Sequence, residues 1–202
     1  MLIATGATNI IEVENLIKSI YKINKKLILM QCNTNYTGNE KNLKYINLNV
    51  LKTYKKKFPN LILGLSDHTL GTIVPAASVL YGVQVIEKHY TFDKTLPDSA
   101  DHWLSLDEPE LATLVNQVRS LEQAKGVGKK IRLECELPAY KYARRSIAAV
   151  TEIPKGKIIE SSMLEMKRPG TGLSSDYLDR IIGRKAKKDI HFDELSSLEF
   201  IE

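Results

Sequence analysis

The chain has 202 residues, 43% of them hydrophobic and 26% charged, a globular composition with enough core for one large or two small domains. Its formal net charge of +5 comes from basic residues interspersed with acidic ones, which argues against a nucleic-acid surface, and no run of about 18 uncharged apolar residues marks a membrane span. The opening MLIATGATN has neither a basic region nor a cleavage-site pattern, and Cys32 and Cys135 form no CxxC pair, so the expectation is a cytoplasmic protein with two buried, reduced thiols.

From residue 1 to about 125, short apolar runs alternate with helical patterns, the signature of βα units on a parallel sheet. Strands are predicted over 2–4, 27–31, 61–65 and 83–88. Between them, 11–21, 42–58 and 73–81 carry apolar residues at helical spacing. A last helix over 109–125 sets Leu111, Leu114, Val115, Val118 and Leu121 on one face, as for a helix packed on a sheet. Residues 126–140 are charged and glycine-marked and read as a linker. From 141 to 202 a second, compact domain of short segments is expected: SIAAV, the turn Pro154-Lys155-Gly156, KII, SSMLEMKRPG, and a short helix over 175–182. Four βα units cannot close a barrel, for which eight parallel strands are the usual solution, so an earlier half is expected to be missing from this chain.

Loops after the carboxyl ends of parallel strands gather on one edge, where ligands bind. His68 closes LILGLSDH and His89 closes VQVIEKH, with one helix between them, so the two strands are expected to be neighbours. Strands about 4.8 Å apart allow two imidazoles to share a divalent ion at about 2.0–2.2 Å from each nitrogen. The other ligands would be water, a substrate oxygen or a carboxylate such as Glu87. A hydrogen-bonding role in the core or at the surface remains the alternative for each histidine. Thr5-Gly6, the run 32–36 and Ser66-Asp67-His68-Thr69 add hydroxyls and amides to the same edge, suited to a phosphate or a sugar and equally to turns. After His89 a long loop carries Asp93, Asp98, Asp101, His102 and Trp103, and loops of that length are more often functional than idle. In the second domain, Lys167-Arg168-Pro169-Gly170-Thr171-Gly172 couples an arginine to a rigid turn, either presented to a ligand or simply solvated.

ATGAT, QCNTNY, GLSDHTLG, VIEKHYTFD, DSADHWLSLDEPEL and KRPGTGL, in this order, resemble the sialic acid synthases, phosphoenolpyruvate-dependent enzymes that make nonulosonic acids. The resemblance covers essentially the whole chain, and from about Arg145 it extends to type III antifreeze proteins. It implies an α/β fold: the C-terminal half of a TIM (β/α)8 barrel, strands five to eight, followed by an antifreeze-like SAF domain of β-clip type. It implies condensation of phosphoenolpyruvate with the open-chain aldehyde of N-acetylmannosamine or a related N-acetylated hexose, entry of water and release of phosphate. A divalent metal, Mn2+ or Mg2+, acts in the family as a Lewis acid. By position, His68 and His89 match the metal ligands, and Ser66 and Thr34 the phosphoenolpyruvate subsite. Tyr36, Asp101 and Tyr142 match sugar contacts, and Arg168 the arginine that the cap of a partner subunit brings over the sugar in a domain-swapped homodimer.

Ala4 departs from a serine that contacts phosphoenolpyruvate in some members, and the loop before Asp101 is one residue longer than in the simplest ones, which points to a different sugar. The family's phosphate-binding lysines and acidic catalytic residue lie in the first half of the barrel, so this chain alone is expected to be inactive unless a longer or separate polypeptide supplies them. A noncatalytic remnant that binds sugar or a partner is the alternative. An unrelated metal-dependent hydrolase or aldolase could use the same histidines but leaves KRPGTG unexplained.

Overall fold

The computed structural model describes residues 1–97 and 101–201; Asp98 therefore lies outside the described residues. The chain divides into two units, Met1–Gly128 and Lys129–Glu202.

In the first unit β1 (Leu2–Ala4), β2 (Ile28–Cys32), β3 (Ile62–Asp67) and β4 (Val83–Lys88) form a parallel sheet in sequence order. Each connection is a βα unit, because parallel neighbours need a crossover that returns the chain to the starting edge. Helix α1 (Ile10–Tyr21) begins where the Asn9 side chain accepts the Ile11 and Glu12 N–H groups and Glu12 reciprocates with the Asn9 N–H. The helix expected over 42–58 is two pieces, a 3-10 turn at Glu40–Tyr45 and α2 (Val50–Lys57). Asn47 explains the break: its φ of 51° is left-handed, a conformation that asparagine tolerates and a helix interior does not. Helix α3 (Ile73–Ser78) tightens into a 3-10 turn through Tyr81, and α4 spans Glu108–Lys125.

Alternation along the strands sends Ile3, Leu29, Leu63 and Leu65 to the helix side, where they pack with Val13, Ile17, Leu51 and Tyr54. On α4 the expected apolar face is only partly covered. Leu114 is buried with Ala76 and Leu106, while Leu111 and Val115 are 39% and 47% exposed, because α4 packs on α3 and the turn after it.

In the second unit a 3-10 turn at Glu134–Glu136 leads into α5 (Leu137–Tyr142), so the later part of the 126–140 stretch is ordered. Strand β5 (Ser146–Ala149) pairs antiparallel with β6 (Leu164–Lys167). KII forms no strand, only a bridge from Ile158 to Lys185, and the segment expected as a helix over 175–182 is a 3-10 turn followed by α6 (Leu178–Ile181). Ile147, Ala149, Ile153, Ile159, Ile181 and Ala186 make its core. Both cysteines are free. Cys32 is buried as expected, but Cys135 is exposed, since the turn that carries it buries none of its residues. Among the described residues no helix is long and apolar enough to cross a membrane.

Candidate functional site

The carboxyl ends of β3 and β4 run level, with Ser66 opposite Glu87 and Asp67 opposite Lys88. Ser66 Oγ donates to the Glu87 carboxylate at 2.7 Å, and Lys88 Nζ donates to Asp67 at 2.7 Å. Side chains alternate between faces, so Ser66 and Glu87 share the face on which His68 and His89 follow, and Asp67 and Lys88 share the helix side.

The two imidazoles stand 5.2 Å apart between centroids, at 62°. Tyr36, from the loop after β2, lies 4.2 Å from the His68 ring and 5.9 Å from the His89 ring. His68 Nδ1 is 3.0 Å from the Asn33 carbonyl oxygen. A carbonyl only accepts, so Nδ1 carries the proton and Nε2 keeps its lone pair. Burial pushes His68 below the ordinary imidazole range, against the opposing effect of the Asn33 bond. His89 Nδ1 is 3.6 Å from the Asp101 carboxylate, a separation too long for a hydrogen bond.

This donor set fits a divalent ion. Imidazoles that share one ion at about 2.1 Å from each nitrogen hold their centroids about 5 Å apart. Neutral nitrogens with an oxygen fixing the other ring atom are the usual form of such ligands. Glu87 is engaged by Ser66, and among the described residues no three His, Cys, Asp or Glu side chains converge on one point.

Four of the expected residues, His68, His89, Tyr36 and Asp101, form one cluster, and Ser66 adjoins it through Glu87. Thr34 instead lines a cleft of about 530 Å3 at the ends of β1 and β2, together with Thr5, Gln31, Asn33 and Tyr54. Thr5 Oγ1 donates to the Met30 carbonyl and accepts the Tyr54 hydroxyl at 2.9 Å, and burial raises the Tyr54 pKa. A second cleft of about 440 Å3 beside His68 is lined by Asn35, Leu43, Ile46, Thr69 and Ile73. Trp103 packs on Gly38, whose φ is 56° and where an added Cβ would lie 2.1 Å from the indole. The loops after β2 and β4 thus meet beside the histidines.

In the second unit Arg168 Nε donates to the Ala143 carbonyl at 3.0 Å, which ties the KRPGTG turn to the segment just after Tyr142. The Gly170 N–H bonds Lys141 O at 2.8 Å in the same region, and Tyr142 is 60% exposed. The two expected cap residues therefore share one surface of that unit. Sequence reasoning missed the Asn33 carbonyl and the Asp67–Lys88 pair; residues of opposite charge directly before each histidine were the available signal for the pair.

Residues 1–130 match the NeuB family and residues 144–195 the SAF domain. Over 196 residues the chain is 37% identical to an uncharacterized protein of Methanocaldococcus jannaschii, covering 96% of this chain and 57% of that protein. Over 207 residues it is 34% identical to the N,N'-diacetyllegionaminic acid synthase of Legionella pneumophila, covering 100% of this chain and 57% of that enzyme. The crystal structure of N-acetylneuraminic acid synthetase from Leptospira borgpetersenii in complex with citrate superposes with a TM-score of 0.59 at 33% identity, covering 68% of this chain and 46% of that one. The chain thus spans a little over half the length of the curated relatives it matches. On this match and on its parallel α/β unit, the chain belongs to the NeuB family, that of the sialic, legionaminic and pseudaminic acid synthases, and carries a SAF domain.

Proposed function

We propose that this chain is the later part of a phosphoenolpyruvate-dependent nonulosonic acid synthase. Residues 1–125 supply strands five to eight of a (β/α)8 barrel, 126–140 a linker and 141–202 an antifreeze-like cap. Four parallel strands in sequence order and the partial coverage of the relatives support this assignment.

In the proposed reaction, C3 of phosphoenolpyruvate bonds to the aldehyde carbon of an open-chain N-acetylated hexose, water adds at C2, and phosphate leaves with cleavage of its bond to C2. A divalent ion, Mn2+ or Mg2+, would supply Lewis-acid polarisation of the aldehyde. His68, its ring fixed by the Asn33 carbonyl, would hold it through Nε2 together with the His89 imidazole. Thr34 would donate a hydroxyl hydrogen bond to phosphoenolpyruvate, as would Ser66 once its single hydroxyl hydrogen turns away from Glu87, and Tyr36, Asp101, Tyr142 and Arg168 would bind the sugar. Tyr142 and Arg168 act from the cap of a second copy in a swapped homodimer. The acidic catalytic residue and the phosphate-binding lysines come from polypeptide beyond these 202 residues, so the chain alone does not turn over. The reading includes a cytoplasmic setting, in keeping with two free thiols.

The side-by-side imidazoles, with the His68 Nδ1 oriented, carry this proposal. Calorimetry with Mn2+ tests it: the chain should bind one ion, and His68→Ala and His89→Ala should each abolish binding. Unchanged binding in both variants would favour the noncatalytic sugar- or partner-binding alternative. In a complete enzyme, Arg168→Ala should raise the Michaelis constant for the sugar far more than that for phosphoenolpyruvate; equal effects would remove it from the sugar site.

A further inference from the structure

Asp67 and Lys88 stand immediately before the two histidines and take part in none of the roles above. Lys88 Nζ donates to Asp67 Oδ2 at 2.7 Å and to the Thr69 carbonyl, while Thr69 Oγ1 reaches both Asp67 oxygens at 3.0 and 2.9 Å. The side chains of Lys88 and Asp67 are 5% and 1% exposed. An ion pair this deep is weak evidence for stability, because desolvation offsets much of the attraction; fixing register is the better-attested use of buried polar groups.

Register is what needs fixing here. Leu63 pairs with Val83, but Gly64 pairs with Val85, so Gln84 is the surplus residue of a bulge. Uninterrupted pairing would set Asp67 opposite Glu87 and His68 opposite Lys88, opposing like charges and placing the imidazoles at different levels. With the surplus residue, Asp67 meets Lys88 and the next position on each strand is a histidine. Gly64 suits the same spot, since a Cβ there would come within 2.7 Å of the Met30 side chain and 3.0 Å of the Val85 carbonyl.

We propose that the Asp67–Lys88 pair is a register clamp, two positioning residues that hold β4 one residue out of simple alignment so that His68 and His89 stand level. The purpose of the clamp rests on the metal reading of the histidines; its existence is a statement about strand alignment alone. The test is therefore done first without metal, on the full chain. Cross-strand nuclear Overhauser contacts between β3 and β4 should show Asp67 beside position 88 in the parent and in Lys88→Arg. In the uncharged double variant Asp67→Leu/Lys88→Met, which leaves no lone buried charge, they should show position 67 beside position 87. Mn2+ calorimetry should then give an affinity at least about tenfold weaker for the double variant and close to the parent's for Lys88→Arg. A folded double variant with the parent register overturns the clamp, and so does a double variant that no longer folds, since the pair would then be a stability element. A register shift together with no Mn2+ binding by the parent sustains the clamp and sinks the metal reading instead.

Discussion

Ile147, Ile153 and Ile159 in the second unit and Leu29, Leu51 and Leu65 in the first are all 2% exposed or less, so both units build cores of equal dryness. Both also leave apolar margins, with Ile158, Phe192 and Leu198 of the second unit 52%, 60% and 50% exposed, and they differ in how their strands are paired. The first unit leaves Leu2 at 54%, Ile62 at 42%, Leu111 at 39% and Val115 at 47% exposure. Each βα crossover covers one face of the sheet locally, but the outer strands and the last helix can be covered only by further elements. The second unit instead folds back through an antiparallel pair and bridges such as Ile153 with Ile190 and Ala186 with Ile201. The second unit thus pairs its short segments back on themselves, whereas the first is a parallel sheet whose order ends at β1 and β4.

The largest expected effect comes from separating the two. Residues 129–202 produced alone should be monomeric and melt cooperatively, while 1–128 alone should self-associate on size-exclusion chromatography; a monomeric 1–128 with a sharp melt would break the comparison. Next, Ile147→Ala and Leu29→Ala should each cost about 2–5 kcal/mol in urea unfolding, the range for truncating a fully buried aliphatic side chain. Unequal costs would mean that the cores differ as well as the strand pairing. By contrast, Leu111→Ala and Val115→Ala should each stay within about 0.5 kcal/mol in this chain. A larger loss would show that α4 has a covering surface.

The smallest expected effect is on the pH dependence of the second unit, although the Glu14 and Asp93 carboxyls of the first are depressed as well. The Glu152 carboxyl is held below its usual range first by the Phe192 N–H and then by His191, and Glu194 first by Lys188 and then by the His191 N–H. A depressed folded pKa contributes stability above the unfolded carboxylate value and loses it as pH falls through the folded value. The melting temperature of residues 129–202 should therefore drop on acidification below about pH 5, and Glu152→Gln/Glu194→Gln should flatten that slope. An unchanged slope would assign the acid sensitivity to other groups.

Much of the candidate site was legible in the sequence, because short apolar runs mark the strands and the carboxyl ends of parallel strands gather on one edge. His68 and His89 follow from that logic, and β4 occupies the span its sequence predicts. Three features were not legible, each for a different reason. The helical spacing of 42–58 continues across Asn47, so only the left-handed backbone there reveals the break. The open side of α4 depends on which element the helix packs against, and periodicity is silent on that. The opposite charges of Asp67 and Lys88 are visible in the sequence, but their being level is not, because it depends on a bulge at Gln84 that only the strand pairing reveals.

Trp103 is the one tryptophan of the chain, and it rests on Gly38 where the loops after β2 and β4 meet. The molecule consequently carries an intrinsic optical probe at its most informative point. Emission from a single indole reports whether those two loops are joined, with no label and no background from other tryptophans. A red shift on loosening them, or quenching when a paramagnetic ion enters beside Tyr36, would register events that other fluorescence from the protein cannot localise.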